Sequence, residues 1–317
     1  MTKPVLRPDV QALLAYLHEA NFPEIQTQSP EEVRSTMLAA LPRTDLEMPN
    51  MAVRRRLSIP GVAGDIPALL LDNKVSREPG PVVVWFHGGG FVSGSIDTHQ
   101  SFAATVSLHL DLPVVVVDYR LAPEAPYPAA VQDAEASARW IAASHDDLGL
   151  TADSLILGGD SAGGTLAAVT AIALRDVRAD VPVRCQILFY PATDLTREFA
   201  SHGEFFEGYL LTRAGQLWYQ DQYRPRKKDI QASPLLADLE GLPPAVVLTS
   251  GVDPVRDEGR AYAAKLVEAG VPTTFLEARG MIHAFVLLRK VLPSAIDDIA
   301  RALHLTRMMF EYPHPSA

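Results

Sequence analysis

An α/β protein, with a mostly parallel central sheet flanked by helices, is the fold that the sequence predicts, and two observations predict it. Six short apolar runs, PVVVWF (81–86), PVVVVDY (113–119), SLILGG (154–159), VRCQILFY (183–190), AVVLTS (245–250) and TTFLEA (273–278), mostly lack polar alternation. Strands buried on both faces of a parallel sheet have this character. Helical patterns fall between them, at about 98–110, 128–144, 162–176, 257–269 and 292–310. Alternating strands and helices imply helices packed on both sides of one sheet.

The elements follow in order. Residues 7–20 and 30–41 read as amphipathic helices; in the first, Val10, Leu13, Leu14 and Leu17 share one face. Residues 52–58 and 65–71 read as two strands joined by the turn-rich IPGVAGD. The six runs and their helices come next, with Gly270 as a C-terminal cap. Residues 195–232 interrupt the alternation where a strand is due. They are mixed, aromatic and partly helical, and are expected to form an insertion over the end of the sheet.

Bulk properties narrow the function. The 317 residues are 48% hydrophobic and 21% charged, and the net charge is −10. Nucleic-acid binding needs a basic footprint, so that class is excluded. The run Arg54-Arg55-Arg56 is short and reads as a solvated strand edge. The single cysteine, Cys185, rules out an internal disulfide and reads as a buried structural thiol. No signal-peptide pattern and no run of roughly 18 apolar residues is present. A cytoplasmic protein without stable membrane association is expected.

The stretch LILGGDSAGGTLA (155–167) sets a serine among residues with almost no side chain. Gly159-Asp160-Ser161-Ala162-Gly163 fits G-x-S-x-G, in which the serine occupies a sharp strand-to-helix turn. A bulky neighbour would collide with that turn, so the glycines let the Ser161 hydroxyl stand exposed. A phosphate loop is the competing reading. No lysine follows the last glycine, and the spacing fails G-x-G-x-x-G.

A hydrolytic serine needs amide donors for the negative oxygen of a tetrahedral intermediate. The stretch WFHGGGFVSGS (85–95) also follows a strand. Gly88, Gly89 and Gly90 can bring their N–H groups close, and Ala162 supplies another; which glycines donate stays open. His87 is expected to fix this loop rather than to act as base. Asp253, in LTSGVDPVRDEG (248–259), comes just past a strand and is the candidate acid. Asp257 and Glu258 are accounted for as helix-start carboxylates. His283 follows the last predicted strand, in a loop containing Gly280. The order serine, acid, histidine matches a hydrolase triad in which the imidazole takes and returns the serine proton. The other histidines, His18, His99, His109, His145, His202, His304 and His314, are scattered and form no metal-ligand pattern. No metal and no cofactor is expected.

These segments resemble the hormone-sensitive-lipase-like esterases, the bacterial family IV carboxylesterases of the α/β-hydrolase fold. The match lies in HGGG (87–90), DYRLAPE (118–124), GDSAGG (159–164), DPVRDEG (253–259) and the histidine segment (278–285), with YPA (190–192) and GYLLT (208–212) as further features. The resemblance implies carboxylic ester hydrolysis by Ser161, Asp253 and His283, and places the oxyanion hole in the HGGG loop and at Ala162. DYRLAPE is expected to hold the loop beneath the site. The resemblance also implies a helical cap, giving residues 1–50 as its N-terminal part and 195–232 as its insertion. Residues 51–194 and 233–317 then form the two parts of the catalytic domain. A homodimer is plausible on the same ground. One position departs: the family commonly has glycine after the histidine, and this chain has Ala284. That methyl group could crowd the pocket or tilt the ring.

Phe205, Phe206, Tyr209, Leu210 and Leu211, with Trp218 and Tyr219, are expected to divide between an acyl pocket and the cap's own core. No basic amphipathic lid is visible, so small-molecule esters of short or medium acyl chains are expected over long triglycerides. Two alternatives stand beside this reading: a non-catalytic small-molecule-binding protein on the same fold, and an amidase or acyltransferase using the same triad.

Overall fold

The computed structural model describes residues 4–311; His314 and the extreme ends of the expected first and last segments lie outside them. The chain forms α1 (Pro8–Ala20), α2 (Pro30–Thr44), β1 (Val53–Gly61), β2 (Gly64–Asp72), β3 (Gly80–Phe86), α3 (Ile96–Leu110), β4 (Val114–Val117), α4 (Ala129–Ala142), β5 (Ala152–Asp160), α5 (Ala162–Asp176) and β6 (Val183–Phe189). It continues with α6 (Ala200–Phe205), α7 (Arg213–Tyr223), β7 (Ala245–Val252), α8 (Arg256–Glu268), β8 (Thr273–Ile282) and α9 (Ala295–Glu311).

One eight-stranded sheet has the order β1-β2-β4-β3-β5-β6-β7-β8. β1 pairs antiparallel with β2, and β2 antiparallel with β4; every pairing from β4 to β8 is parallel. The apolar runs are continuous because both faces are covered. Val82, Val84 and Phe86 enter one core with α4, α5 and α8. Val83 and Trp85 point the other way, into a second core with α3 and α9. This is the two-residue strand period with both sides filled.

The order places a functional crevice. The chain runs from β3 outward to β4, then returns to β5 on the other side of β3. The strand order therefore reverses between β3 and β5, and ligands of open α/β sheets bind outside the strand ends at such a point. The HGGG loop leaves β3 there, and Ser161 leaves β5.

Two parts of the chain cover these ends. A capping box starts α2: Glu32 N–H donates to Ser29 Oγ at 3.2 Å and Ser29 N–H donates to Glu32 Oε2 at 2.7 Å. Arg34 on α2 donates to the Val92 and Ala122 carbonyls at 2.7 and 2.8 Å and pairs with Glu124 at 2.7 Å. The 195–232 segment carries α6 and α7 between β6 and β7, and α7 packs on the 3-10 turn Ile25–Thr27. Buried Arg289 donates to both carboxylate oxygens of buried Asp45 at 2.7 Å, tying the segment after α2 to the body.

Candidate active site

Ser161 joins β5 to α5 with φ 52° and ψ −120°. A side chain in this region is strained, and strain of this kind collects at functional sites. The flanking glycines make the turn possible. A Cβ on Gly159 would strike the Gly163 carbonyl, and one on Gly163 would strike the Phe86 carbonyl. The backbone of the turn is anchored by Ser161 N–H donating to the Phe189 carbonyl at 2.8 Å.

Asp253 lies immediately after β7 and is fully buried. Its Oδ1 accepts the Val255 N–H at 3.0 Å, and its Oδ2 is 2.6 Å from His283 Nδ1. His283 Nε2 is 2.8 Å from Ser161 Oγ. With Nδ1–H donating to the carboxylate, Nε2 is left to accept the serine O–H. The His283 ring also rests against Tyr190 at 4.8 Å. The three residues are distant in sequence and meet at the ends of β5, β7 and β8.

The strand ahead of His283 differs from expectation. β8 runs to Ile282, so Gly280 belongs to the strand rather than to a loop. A register shift in β7 between Ser250 and Val252 lets Val252 pair with Ile282 beyond the irregularity. Gly280 absorbs the distortion with φ 71°. Ala284, at φ 61° and ψ 20°, makes the turn after the histidine. The ring keeps both of its hydrogen-bonded contacts beside this methyl group, and Ala284 itself lines the cavity.

The HGGG loop separates its amides by role. Gly88 N–H is shared between Asp160 Oδ1 at 3.1 Å and His99 Nε2 at 3.3 Å. Among the described residues, no acceptor meets the Gly89 or Gly90 N–H. Ala162 opens α5, where first-turn amides have no partner within the helix. His87 is buried, donates through Nδ1 to the Gly88 carbonyl at 2.8 Å and stacks on Tyr119 at 4.2 Å. Burial holds its imidazole down at about 3, so it stays neutral. Tyr119, from DYRLAPE, donates its hydroxyl to the His87 carbonyl at 2.7 Å.

Asp160 and His99 were not singled out as site residues from the sequence. Asp160 occupies the variable place of G-x-S-x-G, and His99 lies on α3 without a motif. Glu258 is likewise more than a helix-start carboxylate. It is fully buried. Its Oε2 accepts the Thr193 and Asp194 N–H groups at 2.9 and 3.1 Å, and its Oε1 is 3.0 Å from His202 Nε2 on α6. Burial pushes the Glu258 carboxyl up, against the pull of His202 and these amides. Burial opposes charge on His202, but Glu258 and Glu198 outweigh it and raise its value. Asp257 accepts the Ser201 N–H at 2.9 Å, a second link from α8 to α6.

A cavity of about 740 Å³ opens above Ser161 and His283, between the N-terminal helices and α7. Leu210, Leu211 and Tyr219 line it. Phe205, Phe206, Tyr209 and Trp218 are not among its lining residues. Phe205 is buried in the second core and packs edge-on against Tyr209, with Arg256 at 4.9 Å over its ring. Phe206 stacks on His202 at 4.7 Å. Phe205 meets α8 through Arg256 and Phe206 packs between His202 and Arg213, and the N-terminal Leu14, Leu17, Phe22 and Ile25 provide apolar lining in their place. Cys185 is buried, and its thiol is pushed up to about 12 by that burial. Among the described residues no group of three or more candidate ligands is arranged for a metal ion, and no helix is long and apolar enough to cross a membrane.

This crevice, with its strained serine at the switch point of a parallel sheet, defines the class of protein. The alpha/beta hydrolase fold family matches residues 83–287. The esterase LipI of Mycobacterium tuberculosis is 36% identical over 83% of this chain and 86% of its own length. The carboxylesterase NlhH of the same organism is 36% identical over 96% of this chain and 97% of its own. Among solved structures, a thermostable esterase from Pseudomonas putida superposes with a TM-score of 0.91 at 31% identity, covering 98% of this chain and 99% of that one. The chain belongs to the α/β-hydrolase family, in its hormone-sensitive-lipase-like branch.

Proposed function

We propose that this protein is a serine carboxylesterase acting on short- to medium-chain carboxylic esters through an acyl-enzyme. The observation that carries the reading is the continuous hydrogen-bonded line from Ser161 Oγ through His283 to buried Asp253, at 2.8 and 2.6 Å. Ser161 Oγ attacks the ester carbonyl carbon while its proton passes to His283 Nε2. The displaced electron pair collects on the carbonyl oxygen, which the amides of Gly89, Gly90 and Ala162 receive. Gly88 instead spends its amide on Asp160, and His87 fixes the loop. The tetrahedral species collapses, and the leaving alkoxide takes the proton from His283 to depart as alcohol. Water then attacks the acyl-enzyme with His283 as base, and the acid leaves with Ser161 restored. Asp253 holds the ring in its tautomer and stabilises its charged form.

The cavity supports esters with hydrocarbon arms, and its volume lies in the range of small-molecule sites. Residues 1–50 and 195–232 act as the cap over it, with Leu210 facing substrate and Phe205, Phe206 and Tyr209 serving as the cap's packing. The reading includes a cytoplasmic location and a homodimer, the latter testable by light scattering. The primary experiment compares wild type and Ser161→Ala on p-nitrophenyl esters from acetyl to palmitoyl. Wild type is expected to peak at short or medium chains, and the variant to lose at least about 10⁴-fold in kcat. Comparable activity in the variant would remove Ser161 from its role.

A further inference from the structure

Resting on the esterase reading, we infer that the cavity selects by charge. It takes neutral esters and esters carrying an ammonium group remote from the carbonyl, and it disfavours esters carrying a second, ionised carboxylate. The side chains that give it a fixed charge are carboxylates. Glu24, beyond the end of α1, and Glu207, between α6 and α7, are exposed and line the cavity, and Asp160 is buried in its wall. Among the described residues, no lysine or arginine lines it. The Glu24 carboxylate meets the Gln26 amide, and among the described residues no ion pair includes Glu24 or Glu207.

The nearby cations face elsewhere. Leu195, Gln216 and Gln220 line both the cavity and a neighbouring cleft of about 310 Å³. Arg197, Arg213, Lys227 and Lys228 belong to that cleft. Arg213 is held there by Glu198 at 2.6 Å and by the Phe206 ring, 5.1 Å beneath its guanidinium. Arg197 is paired with Asp194 at 3.0 Å. The wall of Leu195, Gln216 and Gln220 therefore divides an acid-lined catalytic cavity from a cleft where these cations sit beside Asp194, Glu198 and Glu258.

A concave, low-dielectric site focuses such a field on its contents. At a separation of about 10 Å, an exposed carboxylate changes the occupancy of a substrate charge about twofold in water. The effect has opposite sign for cation and anion, so the ratio of kcat/KM between them is expected to be on the order of tenfold at low salt. It should shrink as added salt shortens the screening length.

The test compares kcat/KM for the p-nitrophenyl esters of 4-trimethylammoniobutyric acid, butyric acid and glutaric acid (as the half-ester), at about pH 8, where ordinary imidazoles are neutral. The expected order is cation, neutral, anion. In a Glu24→Gln/Glu207→Gln double variant the cation-to-anion ratio, each normalised to butyrate, is expected to fall most of the way to one. An equal or reversed order in wild type, or an unmoved ratio in the double variant, overturns the inference; a faster anion would mean that the neighbouring cations reach the substrate. Binding of the three corresponding methyl esters to Ser161→Ala protein, measured by calorimetry, should rank in the same order. If no ester turns over, the esterase reading fails while the binding order still judges charge selection. If butyrate turns over normally with a flat order, charge selection alone fails.

Discussion

Replacing Ala284 by glycine is expected to stabilise the protein and to leave its rate nearly unchanged. The residue sits at φ 61° and ψ 20°. An L-residue held in the left-handed region is disfavoured by roughly 1–2 kcal/mol, and glycine is not. Glycine also loosens the unfolded chain, which offsets about 0.4–1 kcal/mol of the gain. The alanine methyl is only partly buried, so little packing is lost with it. The net is a stabilisation of about 0.5–1 kcal/mol, or a rise in Tm of about 1–3 °C for a chain of this size. Urea unfolding measures the first quantity and calorimetry the second. The His283 ring is held from both sides, by Asp253 and by Ser161, so kcat/KM should stay within about threefold. A loss of stability of about 1 kcal/mol would refute the strain argument. A tenfold or greater fall in rate, roughly 1.4 kcal/mol of barrier, would show that the methyl group positions the imidazole.

Three other outcomes are expected. Asp253→Asn should fold, because its remaining carbonyl oxygen can still accept the Val255 N–H, yet lose about 10⁴-fold in kcat through the wrong histidine tautomer; circular dichroism and a p-nitrophenyl butyrate assay check both halves. Asp45→Ala leaves the buried Arg289 guanidinium without its counter-charge and should destabilise by about 3–5 kcal/mol in urea, whereas Asp45→Ala/Arg289→Met should recover much of that loss. His202 has its folded value raised above 6.5, so its ion pairs contribute fully below that pH and are lost as pH rises through the raised value. The Tm gap between wild type and His202→Gln should therefore be widest near about pH 6 and narrow by about pH 9; a constant gap would remove His202 as a charged latch.

What could be read in the sequence was what local physics determines. The parallel strands announced themselves because burial on both faces removes polar alternation: Val82–Phe86 is buried at every position. The proposed catalytic residues were legible because each lies past such a run, and because glycines mark where backbone must come close, as at Gly163 beneath the Phe86 carbonyl. The end of β8 was not legible. Its continuation to Ile282 depends on an irregularity in the neighbouring β7, which no pattern inside residues 273–283 carries. The short α6 was equally opaque. Six residues span less than two turns, so periodicity cannot say which of Phe205 and Phe206 faces substrate, and neither lines the cavity.

The long-range polar partners follow the same division. Glu258 read as a helix-start carboxylate because its own segment offers that explanation. Its environment comes from Thr193 and Asp194 after β6 and from His202 on α6, more than fifty residues away. Those contacts give the carboxylate a function that the local account lacks. α8 starts just after Asp253, and the chain at Thr193–Asp194 leads into the insertion. A single buried side chain thus joins the helix after Asp253, the start of the 195–232 segment and α6. Breaking a buried pair of this kind is worth about 3–5 kcal/mol, enough to loosen the insertion over the cavity while leaving the two sheet cores intact. The residues of the proposed triad are local to strand ends, and the residues that line the cavity over them are set by tertiary contacts; that difference makes the proposed triad readable in the sequence and the cavity readable only in the structure.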